Sequence, residues 1–329
     1  MTSPRNWTID QAAAKACNGR VPSFVVTHAD RVWFERCHRA WDLGAGECRR
    51  LEPFDPTVKT GSWDRWAATP AVRDALAIHY FPGMWAWSRS IVDPLVMAAA
   101  DRAHATAAER AVVEAFLGWA PDLDDFTPVR VEPDVDAVVP DPVIPNQDLS
   151  TEDGTGVHYQ ERIPMVVLDD ADDRTWLVVH HLVDEWSEPD AFALDERSLT
   201  AAWAWQHQEL SPPVAGVVHD ELRLDPPSFR RHRVELMPGQ AAAAGARLGR
   251  TVLDMLDPAL RSDPTFDWAH CRLCSFRSPC LAMERGSDVA ELLADQYRRR
   301  PERPLEEGRV GGSTWSQSRG ARPLRFDTP

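Results

Sequence analysis

Lysine is almost absent from this 329-residue chain: Lys15 and Lys59 are its only lysines, whereas arginine occurs 34 times. Chemistry that needs a lysine after residue 59 is therefore excluded. Long apolar runs are also missing, because no stretch approaches the roughly 18 residues of a membrane span. The first 20 residues lack the basic and then apolar order of a signal peptide. These absences predict a cytoplasmic protein with no membrane partner.

Positive charge is too scarce for a protein that coats nucleic acid by bulk electrostatics. The chain has 51 acidic residues against 36 basic ones, and its net charge is −15. Residues 121–200 alone contain 21 acidic residues and only four arginines. Any contact with nucleic acid must therefore be local.

Three common motifs are missing from the sequence. It contains no G-x-x-x-x-G-K-[ST], no G-x-G-x-x-G after a strand and no H-E-x-x-H. Nucleotide hydrolysis, dinucleotide chemistry and zinc-protease chemistry therefore have no support. With 43% apolar residues and 14 tryptophans, the composition is that of a globular protein.

Two capping patterns predict helices in the first 120 residues. Thr27 and Asp30 fit a capping box, and helical spacing of apolar residues then predicts a helix over residues 28–43 with Cys37 on its apolar face. Thr106 with Glu109 predicts a second helix start. Residues 71–103 also have a helical pattern, interrupted at Pro82–Gly83.

From Thr127 onward the pattern changes to β-rich runs bounded by Asp, Pro and Gly. The sequence ADDR between two of these runs predicts a hairpin turn. The order of helices and strands predicts an α/β fold, with a mixed sheet flanked by helices. The later predicted elements are a helix at 194–210, strands at 214–224 and 231–236, a helix at 239–256, a helix from 286 to about 299 and a disordered tail.

Cys271, Cys274 and Cys280 form a C-x2-C-x5-C cluster in WAHCRLCSFRSPC. In a reducing compartment such a cluster is typical of metal ligands rather than disulfides. A fourth thiolate is expected from Cys37, which would join the N- and C-terminal parts in a [4Fe–4S] site. The alternatives are zinc held by the same residues, zinc with His270 or His38 as the fourth ligand, and unligated thiols. Cys48 competes with Cys37 for the fourth position, while Cys17 is expected to be an ordinary apolar residue.

Together these features resemble the PD-(D/E)XK nuclease superfamily, specifically its RecB-like branch and the iron–sulfur CRISPR-associated exonucleases. The resemblance rests on a lone cysteine in ERCHRAW, a β-hairpin sheet followed by a helix, and the C-x2-C-x5-C cluster after a long helix. It covers residues 27–285 and implies a nuclease-like α/β fold with DNA as substrate. The implied domains are an N-terminal extension (1–26), a nuclease-like domain (helical part 27–120, sheet part 121–237, helix and cysteines 238–285) and a C-terminal helix with a tail (286–329).

The chain departs from the family at each catalytic motif. The family places Asp on one strand and an acid-x-Lys on the next, where carboxylates bind Mg²⁺ or Mn²⁺ and the lysine orients the nucleophile. Here Pro164 stands at the first position, and His180 and Leu182 stand at the acid and lysine positions. The helical Gln-x-x-x-Tyr motif is reduced to Gln206-x-x-x-Leu210. Magnesium or manganese is therefore expected only if a rearranged site is active.

A rearranged site has three histidine candidates. His158 and His180 would meet a metal if their strands pair suitably, and His79 resembles the helical histidine that some RecB-like nucleases place near the metal. Structural roles for these histidines are the alternative. Arg230, Arg231 and Arg233 are candidate phosphate ligands for DNA, with a charged surface strand as the alternative.

Three functional hypotheses follow from the sequence. The first is a DNA-binding or DNA-processing accessory protein that has a nuclease fold, a cluster and no standard catalytic centre, and that contacts DNA or a protein partner of a DNA-processing complex. The second is an active metal-dependent nuclease with a rearranged site. The third is an iron–sulfur redox sensor or regulator, because WhiB-like proteins also contain C-x2-C-x5-C.

Overall fold

A computed structural model describes residues 24–45, 51–54 and 68–299. Within these ranges the chain forms three β-sheets, and helices pack on both faces of the largest. The mixed α/β class with a helix-flanked sheet is therefore confirmed. No helix within these ranges is long and apolar enough to cross a membrane. Cys17, Cys48, the extension up to residue 23 and the predicted tail from residue 300 lie outside the described residues.

The first helix is shorter than the sequence predicts. The capping box of Thr27 and Asp30 is present, but the helix ends at Arg36 because Cys37 is extended, with φ −163° and ψ 109°. A second helix starts at His38, so the prediction of one continuous helix over 28–43 is wrong. The helical spacing of apolar residues continues across Cys37, so the sequence gives no sign of the break. The N-terminal elements are β1 (Phe24–Thr27), α1 (His28–Arg36), α2 (His38–Gly44) and β2 (Leu51–Pro53).

Three helices cover one face of the largest sheet. The first begins with Pro70 after the N-cap Thr69, and a 3-10 turn at Pro82–Met84 confirms the predicted interruption. The predicted capping box of Thr106 and Glu109 starts the third helix. These helices are α3 (Pro70–His79), α4 (Arg89–Arg102) and α5 (Ala107–Trp119).

The largest sheet has five strands in the order β3-β6-β7-β8-β9. All neighbours are antiparallel except β7 and β8, which are parallel and are therefore joined by a helical crossover. The predicted ADDR hairpin connects β6 to β7. The elements of this region are β3 (Phe126–Val131), β4 (Asp134–Val138), β5 (Val157–Arg162), β6 (Met165–Asp169), β7 (Thr175–Val183), α6 (Pro189–Ala193), α7 (Glu196–Gln206), β8 (Val214–Leu224) and β9 (Pro227–Glu235).

A smaller sheet contains β1, β5 and β4 in that order. The run ERIPMVVLDD is divided around Pro164, and β5 and β6 belong to different sheets. Proline has no backbone N–H to donate to a sheet, which suits a position between two strands. Because β1 starts at Phe24, this sheet extends beyond the predicted domain boundary at residue 27.

The C-terminal segment returns to the N-terminal part of the chain. The predicted helix at 239–256 is confirmed, whereas the last helix ends at Gln296 and is followed by a strand that pairs antiparallel with β2. The C-terminal elements are α8 (Gln240–Leu256), α9 (Trp268–Cys271), α10 (Arg277–Glu284), α11 (Ala290–Gln296) and β10 (Tyr297–Arg299).

The two faces of the five-stranded sheet bury separate apolar cores. One face packs against α3, α4 and α5, and the other packs against α7 and α8. Trp203 in α7 is buried in the second core, where a Cβ at Gly245 of α8 would lie only 2.4 Å from its indole nitrogen. Gly245 therefore allows these two helices to approach closely. The paired cores hold the strand ends in fixed positions.

Candidate functional site

The four cysteines predicted as ligands line one cavity of about 210 Å³. Cys37 lies at the break between α1 and α2, and Cys271 ends α9. Cys274 follows in the next turn, and Cys280 belongs to α10. The fold thus brings a residue from the first helices next to three residues from the C-terminal segment.

Aromatic packing holds these two parts of the chain together beside the cavity. The rings of Trp33 and Phe276 meet edge to face, with centroids 5.7 Å apart. Phe276 also stacks on Tyr297, whose hydroxyl donates a 2.6 Å hydrogen bond to the carbonyl of Ser275. A Cβ at Gly44 would collide with Trp33 and Phe276, so this contact needs glycine. Apolar contacts therefore pack these two parts of the chain against each other beside the cysteines.

A guanidinium group lies against one of the sulfurs. Arg39 Nη1 is 3.6 Å from the Cys280 sulfur and 2.5 Å from Glu284, while its Nε donates to the carbonyl of Ser262. Burial raises the pKa of Cys280, and Arg39 opposes this change. Burial also raises the pKa of Cys274 to about 11. Both thiols are protonated at neutral pH, so metal binding would have to release their protons.

A second cavity, of about 160 Å³, lies where the resemblance places the nuclease site. We call it the strand-end cleft; it is lined by Pro164, between β5 and β6, and by His180 of β7. The His180 side chain is only 6% exposed. Leu182 is partly buried against the core formed with α3, α4 and α5. The three degenerate positions are therefore near one another, but they supply neither a carboxylate nor an amine.

The charged groups around the strand-end cleft are paired with one another. Three arginines line it, and each has a carboxylate partner. The ion pairs are Arg73 with Glu132 at 3.0 Å, Arg162 with Asp134 at 2.8 Å and Arg197 with Glu161 at 2.9 Å. Among the described residues, no group of three or more His, Cys, Asp or Glu side chains is arranged to hold a single metal ion.

A buried ion-pair network lies beside the cleft. His180, Asp220 and Arg231 occupy directly opposite positions on β7, β8 and β9. Arg231 donates to both oxygens of Asp220 at 2.7 and 2.8 Å and to Asp124 at 2.9 Å. Tyr80 donates to Asp124 at 3.2 Å. Burial would lower the pKa of Arg231, but hydrogen bonds to Asp220 raise it overall, so the guanidinium stays charged.

The DNA-binding prediction for β9 is wrong for Arg231, because its side chain is 8% exposed and is occupied by two carboxylates. Arg233 also has partners, Asp125 at 2.7 Å and Asp169. Arg230 lies over the ring of Trp186. Sequence alone could not place the four acidic partners, because all of them come from other strands or loops.

A metal site shared by His158 and His180 would require their strands to pair, but the two strands lie in different sheets. His158 belongs to the small sheet, where its Nδ1 lies 2.6 Å from Asp136, whereas His180 belongs to the large sheet. His79 is buried among Tyr80, Trp85 and Phe116, and neither of its ring nitrogens has a hydrogen-bond partner among the described residues. Burial is the main cause that lowers the pKa of His79, and the neighbouring His180 lowers it further by a smaller amount.

Sequence reasoning missed a second polar cluster on the opposite face of the same strands. The Nε2 of His181 lies 2.9 Å from the Nδ1 of His219, and His232 lies 3.1 Å from Glu221. Phe192 of α6 stacks on both His219 and His232. The run VVHDELRL in β8 was a signal, because it places a histidine and two acids within a strand buried on both faces.

Three buried histidines and the partly buried His28 make stability depend on pH. Burial is the main cause that lowers the pKa of His28, His79, His180 and His219 from 6.5 to about 4. The folded state keeps them neutral, while the unfolded chain binds protons below pH 6.5, so their contribution is complete above about pH 6.5 and is lost toward pH 4. Asp124 acts in the opposite direction, because burial raises its pKa to about 6 and its contribution falls as the pH rises from 4 to 6.

We therefore expect the free energy of unfolding to fall steeply between pH 6.5 and 5, since four histidines outweigh one carboxyl. Each histidine contributes at most about 1.4 kcal/mol per pH unit. Urea unfolding at pH 7, 6 and 5 measures this slope, and His79→Leu should reduce it by up to that amount. An unfolding free energy that does not change between pH 7 and 5 would contradict the neutral histidines.

No known protein family and no curated protein matches this sequence. Among solved structures, the crystal structure of a protein called SSO0001 is similar to 65% of this chain and 84% of its own. The TM-score is 0.31 and the sequence identity is 14%. Similarity of this extent assigns neither a family nor an activity.

Proposed function

We propose that this chain is a DNA-binding or DNA-processing accessory protein with a RecB-like PD-(D/E)XK nuclease fold, a [4Fe–4S] cluster and no standard nuclease site. The observation that carries the proposal is the shared cavity of Cys37, Cys271, Cys274 and Cys280, because the first is remote from the others in sequence. This is the cysteine arrangement that the family resemblance implies. DNA is the substrate of that family.

The four cysteines could hold a cluster together. They line one cavity, and four cysteine thiolates are the ligand set of a [4Fe–4S] cluster. Four thiolates also hold structural zinc, so zinc must be measured beside iron. The bound cluster would cross-link the N- and C-terminal parts and would supply one-electron chemistry.

The sulfur environment supports the same cofactor. Arg39 donates toward the Cys280 sulfur, and such hydrogen bonds offset the negative charge of a thiolate-bound cluster. His38 stacks on Phe34, with ring centroids 4.4 Å apart, so its ring is already packed. These contacts favour four cysteine ligands over three cysteines and His38.

The order of the large sheet supports a nuclease-like fold. The β6–β7 hairpin is followed by the crossover helix α7 and by β8, which pairs parallel to β7. The resemblance implies a hairpin sheet followed by a helix, and the first part of this order agrees with it. The strand-end cleft lies beside Pro164 and His180, where the family would place its catalytic residues.

The residues around the strand-end cleft support a function without DNA cleavage. A divalent cation needs free carboxylates, but Glu132 is paired with Arg73 and Asp195 accepts a hydrogen bond from the backbone of Ser198. Leu182 cannot replace the lysine that orients the nucleophile. The strand-end cleft therefore lacks both metal-binding and proton-handling groups of the standard site.

We expect the affinity of the cluster-loaded protein for DNA to be the same in Mn²⁺ and in EDTA at matched ionic strength, within about twofold. No bridging metal contributes to binding in this account. Fluorescence anisotropy with a labelled oligonucleotide measures both affinities, and His180→Ala should change neither. Binding that requires Mn²⁺, together with cleavage that His180→Ala abolishes, would instead establish the rearranged nuclease.

A further inference from the structure

Two aromatic side chains are exposed beside the cysteine cavity. Phe266 is 82% exposed and Trp268 is 64% exposed, and both line the cavity that the four cysteines share. The guanidinium of Arg277 lies 4.7 Å from the centre of the Trp268 ring. Large aromatic side chains are normally buried, so their exposure next to an arginine marks an interaction surface.

The two short helices beside these rings carry unpaired arginines. Arg272 follows α9, Arg277 begins α10 and Arg285 follows it; all three are exposed and form no ion pair within the part of the chain that the structure describes. Positions 266–286 contain two acidic residues: Glu284 is paired with Arg39, and Asp267 accepts a hydrogen bond from the backbone of Ala269. This differs from the strand-end cleft, where every lining arginine has a carboxylate partner. Because the whole chain has a net charge of −15, this local cationic surface favours an anionic partner that contacts this surface alone.

We propose that Phe266, Trp268, Arg272, Arg277 and Arg285 bind single-stranded DNA. Unpaired bases would stack on the two aromatic rings, and the arginines would contact phosphates. Duplex DNA cannot offer its base faces in this way, and the acidic remainder of the chain would repel a long duplex. This inference rests on the proposed DNA-binding function and assigns it a strand preference and a surface.

The surface is physically linked to the cysteine cavity. Trp268 begins α9 and Cys271 ends it, while Arg277 begins α10, which contains Cys280. Ligation of Cys271 and Cys280 would therefore fix the two short helices that present these side chains. Single-strand affinity should consequently fall when the cluster is absent.

The experiment uses the full cluster-loaded chain and a fluorescent single-stranded oligothymidine, with a duplex of the same length for comparison. Trp268→Ala should weaken binding of the single strand about tenfold, since one stacked base contributes this order of affinity. Trp268→Phe retains an aromatic face and should restore most of the binding. Trp87→Ala is the matched control, because Trp87 is 51% exposed and lies outside this surface.

Salt dependence separates phosphate contacts from stacking. Arg272→Ala should reduce the slope of log affinity against log salt by about 0.7, the value for one phosphate contact on a single strand. Trp268→Ala should lower the affinity and leave this slope unchanged. Arg250→Ala, an exposed arginine of α8, should change neither quantity. Visible absorption per chain must stay constant in every variant, because a loss of cluster would indicate a structural effect.

The outcomes are distinct. If the wild-type protein binds DNA and the Trp268 and Arg272 variants bind it equally well, this surface is wrong and the proposed function stands. If the cluster-loaded wild-type protein binds no DNA, the proposed function is wrong and the surface inference is wrong with it. Self-association that Trp268→Ala abolishes, with unchanged DNA affinity, would assign the surface to a second copy of this chain and overturn the inference.

Discussion

Replacing Arg231 with alanine is expected to lower the free energy of unfolding by about 3–5 kcal/mol, because it leaves Asp220 and Asp124 as buried, uncompensated charges. Asp220 is fully buried and has no access to water. A loss of this size is a large part of the roughly 5–15 kcal/mol that stabilises a typical domain. Urea unfolding at pH 7.5 measures the change.

Arg233→Ala provides the matched control on the same strand. The Arg233 side chain is 31% exposed, and surface ion pairs contribute about 1 kcal/mol or less. Two variants that lose equal stability would contradict the distinction between the buried and the exposed pair. The double variant Arg231→Met with Asp220→Leu should recover the part of the loss that comes from Asp220, because apolar groups of similar volume can replace a buried ion pair, while Asp124 remains without its arginine.

Replacing Cys274 with serine is expected to remove the cofactor. Anaerobically purified wild-type protein should contain about four iron atoms per chain and the broad visible absorption of a cluster, whereas the variant should contain less than about one. Serine is similar in size, but its hydroxyl is a poor ligand for iron at neutral pH. Iron, acid-labile sulfide and zinc are measured on the same samples before exposure to air.

Two further cysteines make this test specific. Cys17→Ser should leave the iron content unchanged, because Cys17 has no predicted role. Cys48→Ser distinguishes the two candidates for the fourth ligand. Loss of iron in this variant, but not in Cys37→Ser, would identify Cys48 as the fourth ligand in place of Cys37. A colourless wild-type protein with one zinc per chain would contradict the cluster.

Local signals in the sequence predict much of the secondary structure. The capping boxes at Thr27 and Thr106 depend on side chains three residues apart, so they can be identified without tertiary information. The strand at 214–224 is bounded by prolines and an acidic turn, and its observed limits equal the predicted ones. Such elements follow from short-range chemistry.

Features that depend on tertiary contacts were missed. The break at Cys37 interrupts a regular apolar pattern. Pro164 was identified as a missing ligand, but its separation of two strands into different sheets was not predicted. Arg231 was predicted as a surface cation, because its burial depends on the registration of Asp220 opposite it and on Asp124 from a distant loop.

The candidate site, too, could be predicted from the sequence only in part. Residue types and spacing identified Cys271, Cys274 and Cys280, and Cys37 was expected as the fourth ligand because it lies on the apolar face of the predicted first helix. Its location on the same cavity is a property of the fold. The stacked pair of Trp268 and Arg277 had no clear sequence signal, because exposure of a tryptophan is decided by what the rest of the chain leaves uncovered.

The central claim is that the protein holds DNA and does not cut it. The most direct measurement incubates an excess of the cluster-loaded wild-type protein with end-labelled single- and double-stranded DNA and Mn²⁺, and scores retention and product length on one gel. We expect retention of the single strand at full length throughout the time course. Shortened products that disappear in EDTA would contradict the claim and would show that the chain has an active metal site.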